Sequence, residues 1–128
     1  MTVEADLYTR LTTHAGLSAL LGTRVYPVHV DQAAARPFMR YQRISRVGVR
    51  SINGPSGLVD ARFQFDVWAD DFDGARAVAV QLRAALDGYT GGGIDDAICE
   101  TELDLYDADT DPQLYRVTTD YIITHQEY

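Results

Sequence analysis

Lysine is absent: all eleven basic residues of this 128-residue chain are arginine. Cysteine occurs once, at Cys99, which excludes an internal disulfide, and no metal-ligand cluster surrounds it. Long hydrophobic runs are missing too. No stretch approaches the ~20 apolar residues of a membrane span, and residues 1–15 carry Glu4, Asp6 and Arg10 where a signal peptide needs an unbroken apolar stretch. The expectation is a soluble protein made in a reducing compartment, with no membrane partner. Phosphate-loop chemistry is excluded as well. Gly91-Gly92-Gly93 is followed by neither Lys-Ser/Thr nor a helix, and reads as a flexible joint. There is no internal repeat and no low-complexity segment.

What remains is an ordinary globular composition, 46% hydrophobic, of a length that fits a single domain spanning residues 1–128 with one core. The net charge is −8, unevenly spread. Between Asp31 and Asp60 stand Arg36, Arg40, Arg43, Arg46 and Arg50 with no acid among them. Between Arg83 and Arg116 stand Asp87, Asp95, Asp96, Glu100, Glu102, Asp104, Asp107, Asp109 and Asp111 with no base. An acidic chain with a local arginine patch argues against dedicated nucleic-acid binding, which needs a basic domain. It suits complementary contact between chains.

Periodicity supplies the elements. Thr2 is an N-cap for a helix over 3–14, with Val3, Leu7, Tyr8 and Leu11 at helical spacing, and Leu17 to Leu21 adds a turn stopped by Gly22. Arg24 to Val30 is a short strand that Pro27 confines to an edge. A long hairpin follows, from Phe38 as far as Val49 and back over 58–69, with a mobile tip at 51–57. In its return strand Ala61, Phe63, Phe65, Val67 and Ala69 share one face, and Arg62, Gln64, Asp66 and Trp68 the other. Asp70 or Asp71 caps a second long helix that ends at Gly88, with a buried stripe of Phe72, Ala75, Val78, Ala79, Leu82, Ala85 and Leu86. Two strands close the chain, over 97–106 and 113–125, joined by a turn from Asp107 to Pro112. The expected fold is α+β, in the order α-β-β-β-α-β-β, with two helices on one face of a mainly antiparallel sheet.

Catalytic and metal chemistry find little support. His14, His29 and His125 are scattered, without Cys, Asp or Glu at ligand spacing. The run Asp107-Ala108-Asp109-Thr110-Asp111 opens like a calcium loop, but Pro112 and Thr118 occupy the positions that require Gly and a bidentate Glu. Glu100 and Glu102 fall on one face of their strand with Asp104, a charged outer face rather than a catalytic pair. No Ser or Cys has a recognisable base partner. No catalytic residue, metal or cofactor is therefore expected.

The arginines point to contact between molecules. Strand parity puts Arg36, Arg40, Arg46 and Arg50 together and Arg43 opposite, with Asp60 and Asp66 as the acids that could balance them inside the hairpin. Trp68 stands on the polar side of its strand, where a helix or another molecule must cover it. The expected interface comprises Arg36, Arg40, Arg43, Arg46, Arg50, Asn53, Pro55 and Trp68 on one side, and Glu100, Glu102, Asp104, Asp107 and Asp109 on the other.

Several segments, in order, resemble the tail-completion (tail-terminator, or tail-to-head joining) proteins of long-tailed bacteriophages. They are Glu4-Ala5-Asp6-Leu7-Tyr8, the segment from Leu17 to Pro27, Pro37-Phe38-Met39-Arg40-Tyr41-Gln42, the Gly54-Pro55-Ser56-Gly57 tip, Phe63 to Ala69, Leu86-Asp87-Gly88 and Leu114-Tyr115-Arg116-Val117. The resemblance implies a structural virion protein, made in the host cytoplasm, that caps the head-proximal end of the tail tube. It implies a ring, most often of six copies, touching the tail tube protein on one side and the head–tail connector (stopper) protein on the other, with DNA passing through unbound. The other readings are a small-molecule-binding enzyme domain of the same α+β outline, which would need a concave apolar pocket, and a host protein-interaction module.

Overall fold

Helix α1 (Val3–Thr13) begins where the Thr2 hydroxyl accepts the Ala5 N–H at 3.2 Å. His14 then leaves the helical region and its Nδ1 accepts the Leu17 N–H at 3.3 Å, which makes it the cap of a separate helix, α2 (Ala15–Leu21). The expected extra turn is thus a third helix. The chain continues as β1 (Val25–Pro27), β2 (Phe38–Ser51), β3 (Gly54–Ala69), α3 (Phe72–Leu86), β4 (Ile94–Asp107) and β5 (Leu114–Gln126). This computed structural model describes residues 2–30, 35–52, 54–107 and 114–126. Asn53, Asp109 and most of the turn expected between the last two strands lie outside them.

The strands form one sheet in the order β1-β2-β3-β5-β4. Every pairing is antiparallel except β1 with β2, which is parallel. The α+β class and element order are those expected. β1 sits at an edge, where the N–H that Pro27 lacks is not needed.

The three helices of the described residues pack on one face. Leu7 and Leu11 of α1, Leu17 and Leu21 of α2, and Val78, Leu82 and Leu86 of α3 join Phe63, Phe65, Val67, Tyr121 and Ile123 of the central strands in one core. Phe65 is its hub, edge-to-face with Tyr121 at 5.4 Å and 6.3–6.4 Å from Phe63 and Tyr41. Asp71 caps α3 by accepting the Gly74 N–H at 2.6 Å. The expected stripe is buried apart from Phe72, which is 45% exposed and meets the Tyr115 ring edge-to-face and the Arg76 guanidinium. As the first residue of its helix, it projects beyond the sheet surface that the later turns cover.

Four further expectations need correction. The hairpin strands run to Ser51 and resume at Gly54, so most of the expected tip is strand, with Ser51 paired to Gly54 and Arg50 to Pro55. Ser56 Oγ donates to Val49 O at 2.6 Å and Ser51 Oγ to Gly54 O at 3.1 Å, closing it. The glycine run is a tight turn rather than a loose joint. Gly91 bridges Ile94, the Asp6 carboxylate accepts the Gly93 N–H at 3.2 Å, and a Cβ on Gly92 would stand 3.1 Å from that carboxyl group.

The other two corrections come from bulges, which place two residues opposite one and reverse the inside–outside alternation beyond them. The shift between Cys99 and Thr101 turns Glu102 and Asp104 toward the helices and leaves Glu100 on the open face, so the two glutamates do not share a side. It also turns Leu103 and Leu105 outward, 57% and 37% exposed, where unbroken alternation would have buried them. The shift between Arg43 and Ser45 likewise separates Arg40, beside Asp66 on the open face, from Arg46, opposite Ala61 on the helix-side face.

Phe65→Ala should lower unfolding free energy by about 3–5 kcal/mol, and Phe72→Ala by about 1 kcal/mol or less. Urea titration followed by tyrosine and tryptophan fluorescence measures both, and similar losses would contradict the assignment of Phe72 to the surface.

Candidate assembly surface

Among the described residues no helix covers the second face of the sheet, and its centre is organised by one carboxylate. Asp66 is 0% exposed although it points away from the helices. It accepts from Arg40 Nη2 at 2.5 Å, Arg116 Nη2 at 3.0 Å, Thr118 Oγ1 at 2.7 Å and Gln64 Nε2 at 3.1 Å. The residues come from β2, β3 and β5, adjacent in the sheet, so the register alone converges them. Trp68 lies over the cluster, its ring 5.2 Å from the Arg40 guanidinium and 5.1 Å from that of Arg116, and stacks on Phe38 at 5.3 Å. Trp68 is thus half-buried by its neighbours in the same chain. One carboxylate holds two arginines, so the site keeps a net positive charge beneath a tryptophan, in a fixed geometry. That is the residue make-up of a protein-contact anchor.

Burial by itself would raise the Asp66 pKa. The hydrogen bonds from Thr118 and Arg40, the charge of Arg116 and the Gln64 amide outweigh it and hold the carboxyl group below the usual aspartate value.

Several other charges pair within the chain. Arg36 meets Asp70 at 2.6 Å. Arg62 reaches Glu100 at 3.2 Å and Asp120 at 3.7 Å. On the helix side, Arg76 and Arg83 of α3 hold Glu102 at 3.5 and 3.4 Å, and Arg76 also holds Asp104 at 3.2 Å. Arg43, Arg46 and Arg50 lie exposed along the hairpin. There Arg46, Val49, Arg50, Leu58 and Val59 line a shallow groove of about 320 Å³. Pro55 and Asp107 sit opposite Arg50 and Leu114 in their ladders. The expected interface residues therefore do not gather in one place: the arginine hairpin and the acidic strand occupy opposite sides of the sheet, with β3 and β5 between their strands.

Sequence reasoning missed Arg116, Thr118, Arg76 and Arg83, and gave Asp66 only a balancing role. The available signal was an Asp set between Gln64 and Trp68 on the polar face of the return strand. Cys99 is half-buried. Burial raises its thiol pKa, with Asp87 and Glu102 adding to the effect, which makes it a poor nucleophile. Among the described residues no three His, Cys, Asp or Glu side chains gather to hold a metal.

The family described as tail completion protein gp17 matches residues 5–126. The chain belongs to that family. It is accordingly a structural protein of a phage-type virion tail. No curated protein matches it. A chain in a solved structure titled "Virion of native gene transfer agent (GTA) particle" superposes with a TM-score of 0.77 at 19% identity, over 98% of this chain and 95% of that one. At that identity the likeness shows a shared fold, spanning both chains almost end to end.

Because the folded pKa of Asp66 lies below its unfolded value of about 3.9, its contribution is present above that pH and lost as pH falls through the folded pKa. Asp66→Asn should cost roughly 3 kcal/mol at pH 7 and flatten the loss of stability below about pH 4. Thermal melts from pH 7 to 2 measure this, and parallel pH profiles for parent and variant would assign the acid sensitivity elsewhere.

Proposed function

We propose that this tail completion protein closes the head-proximal end of the tail tube as a ring of identical copies and presents one side of the ring to the head connector. Membership of the tail completion family over residues 5–126 carries the reading. The surface described above supports it physically. A ring requires a heterologous contact, two different patches on each copy that fit each other. An arginine-bearing hairpin and an acid-bearing strand on opposite sides of one sheet meet that requirement.

The role is architectural, without catalysis or a cofactor. Six copies would bring six times the chain's −8. A negative ring around a DNA channel would let the DNA pass without adhering. Arg40, Trp68 and Arg116, locked around Asp66, are the anchor we assign to the tail tube or connector protein, since aromatic and arginine side chains dominate such contacts.

Particles made without this chain should yield separate filled heads and headless tails by electron microscopy. Purified protein added to the tails should restore joining. Arg116→Ala should reduce that restoration by about tenfold or more while the ring still forms. Normal joined particles from the deletion would remove the proposed role.

A further inference from the structure

The sheet has two open edges, at its opposite sides, among the described residues. On β4 the outer side is closed at first, where Gly88 N–H donates to Ala97 O at 2.7 Å and Cys99 N–H to the Asp87 carboxylate at 3.1 Å. From Thr101 to Asp107 no backbone–backbone hydrogen bond leaves the sheet among the described residues. On the other side, β1 pairs with β2 only from Met39 to Tyr41. Beyond that point, from Arg43 to Ser51, no further strand lies against the outer side of β2 among the described residues.

Along a strand, backbone groups reverse direction in step with side chains, so residues on one face send N–H and C=O to the same side. Met39 N–H donates outward to Arg24 O at 3.0 Å, Tyr41 O accepts from Val28 N–H at 2.9 Å, and both residues lie on the helix-side face. Arg43 and Arg46, opposite Phe63 and Ala61, share that face and therefore also direct backbone groups outward. On β4 the outward residues Ala97 and Cys99 are helix-side as well. Glu102 and Asp104, opposite Thr119 and Val117, take the same orientation after the bulge.

Resting on the ring reading above, we infer that the outer side of β4 in one copy adds to the outer side of β2 in the next copy, from Thr101–Asp107 onto Arg43–Ser51. β2 and β4 run in opposite directions within the sheet, so a head-to-tail continuation makes this junction antiparallel. The faces then match. Arg43 and Arg46 fall beside Glu102 and Asp104 on the helix side, where each carboxylate keeps acceptor capacity beyond its bonds to α3. On the open side Val47, 63% exposed, falls beside Leu103 and Leu105, the two leucines that the bulge leaves uncovered. The acids also disfavour pairing of β4 with another β4 while admitting an arginine-bearing strand.

The test is disulfide trapping in a Cys99→Ser background. Copies carrying Arg46→Cys are mixed with copies carrying Glu102→Cys, Asp104→Cys or Tyr106→Cys on tails that lack the protein, under mild oxidation. Opposed backbones about 5.5 Å apart suit the bond. A cross-link in at least one mixture, absent from each variant alone, is the expected result. Rings visible by microscopy with no such cross-link, or with links joining two copies that both carry Asp104→Cys, overturn the strand junction and leave the ring reading standing. Absence of rings from the parent protein removes both. As a second variant, Asp104→Pro deletes an N–H that points away from β5, so the fold should survive. Ring formation should fall by about tenfold or more, whereas Asp104→Asn should form rings within a few-fold of the parent. Normal rings from the proline variant overturn the inference.

Discussion

A five-stranded sheet whose described helices all lie on one side has to hold its other side together with its own side chains. Here that task falls on Asp66, a carboxylate buried with no helix over it among the described residues. Its negative charge is tolerable only because two guanidiniums, a hydroxyl and an amide from three adjacent strands converge on it. The same arrangement fixes Arg40 and Arg116 around Trp68, so the electrostatic solution to burial also produces a rigid, positively charged aromatic surface. Stability and the capacity for contact have one physical source.

The bulges shape the rest of the surface. Each inserts one residue and exchanges the two faces of everything beyond it. In β4 this sends Glu102 and Asp104 to the arginines of α3 and Leu103 and Leu105 to solvent. In β2 it separates Arg40, committed to Asp66, from Arg43 and Arg46. Among the described residues, exposed leucines on a sheet face beside an open strand edge put apolar surface and unpaired backbone groups together, the combination that favours contact with another molecule.

Sequence reasoning read the elements well because hydrophobic period depends only on local geometry. Ala61 to Ala69, Ala75 to Leu86 and Tyr115 to His125 show their periods plainly, and the capping residues Thr2 and Asp71 mark helix starts. Sides beyond a bulge were not legible, since alternation counts residues and a bulge adds one without a compositional mark. At β4 the pattern was misleading: Ala97, Cys99, Leu103 and Leu105 alternate cleanly, yet the ladder with β5 shifts between them. Phe72 was misread for a related reason, because helical spacing says which side of a helix a residue takes, not how far the sheet beneath extends.

By itself the sequence determined the α+β class, the order of the elements, the core face of the central strands and a family resemblance, all of which follow from short-range periodicity and the order of motifs. Only the tertiary structure decided that Asp66 gathers Arg40, Gln64, Arg116 and Thr118, that the glutamates of β4 fall on opposite faces, and that the arginine hairpin and acidic strand occupy opposite sides of one sheet. Those facts depend on which strands are neighbours and in what register. Contacts between residues 26 to 52 positions apart are set by that pairing, and no local pattern encodes it.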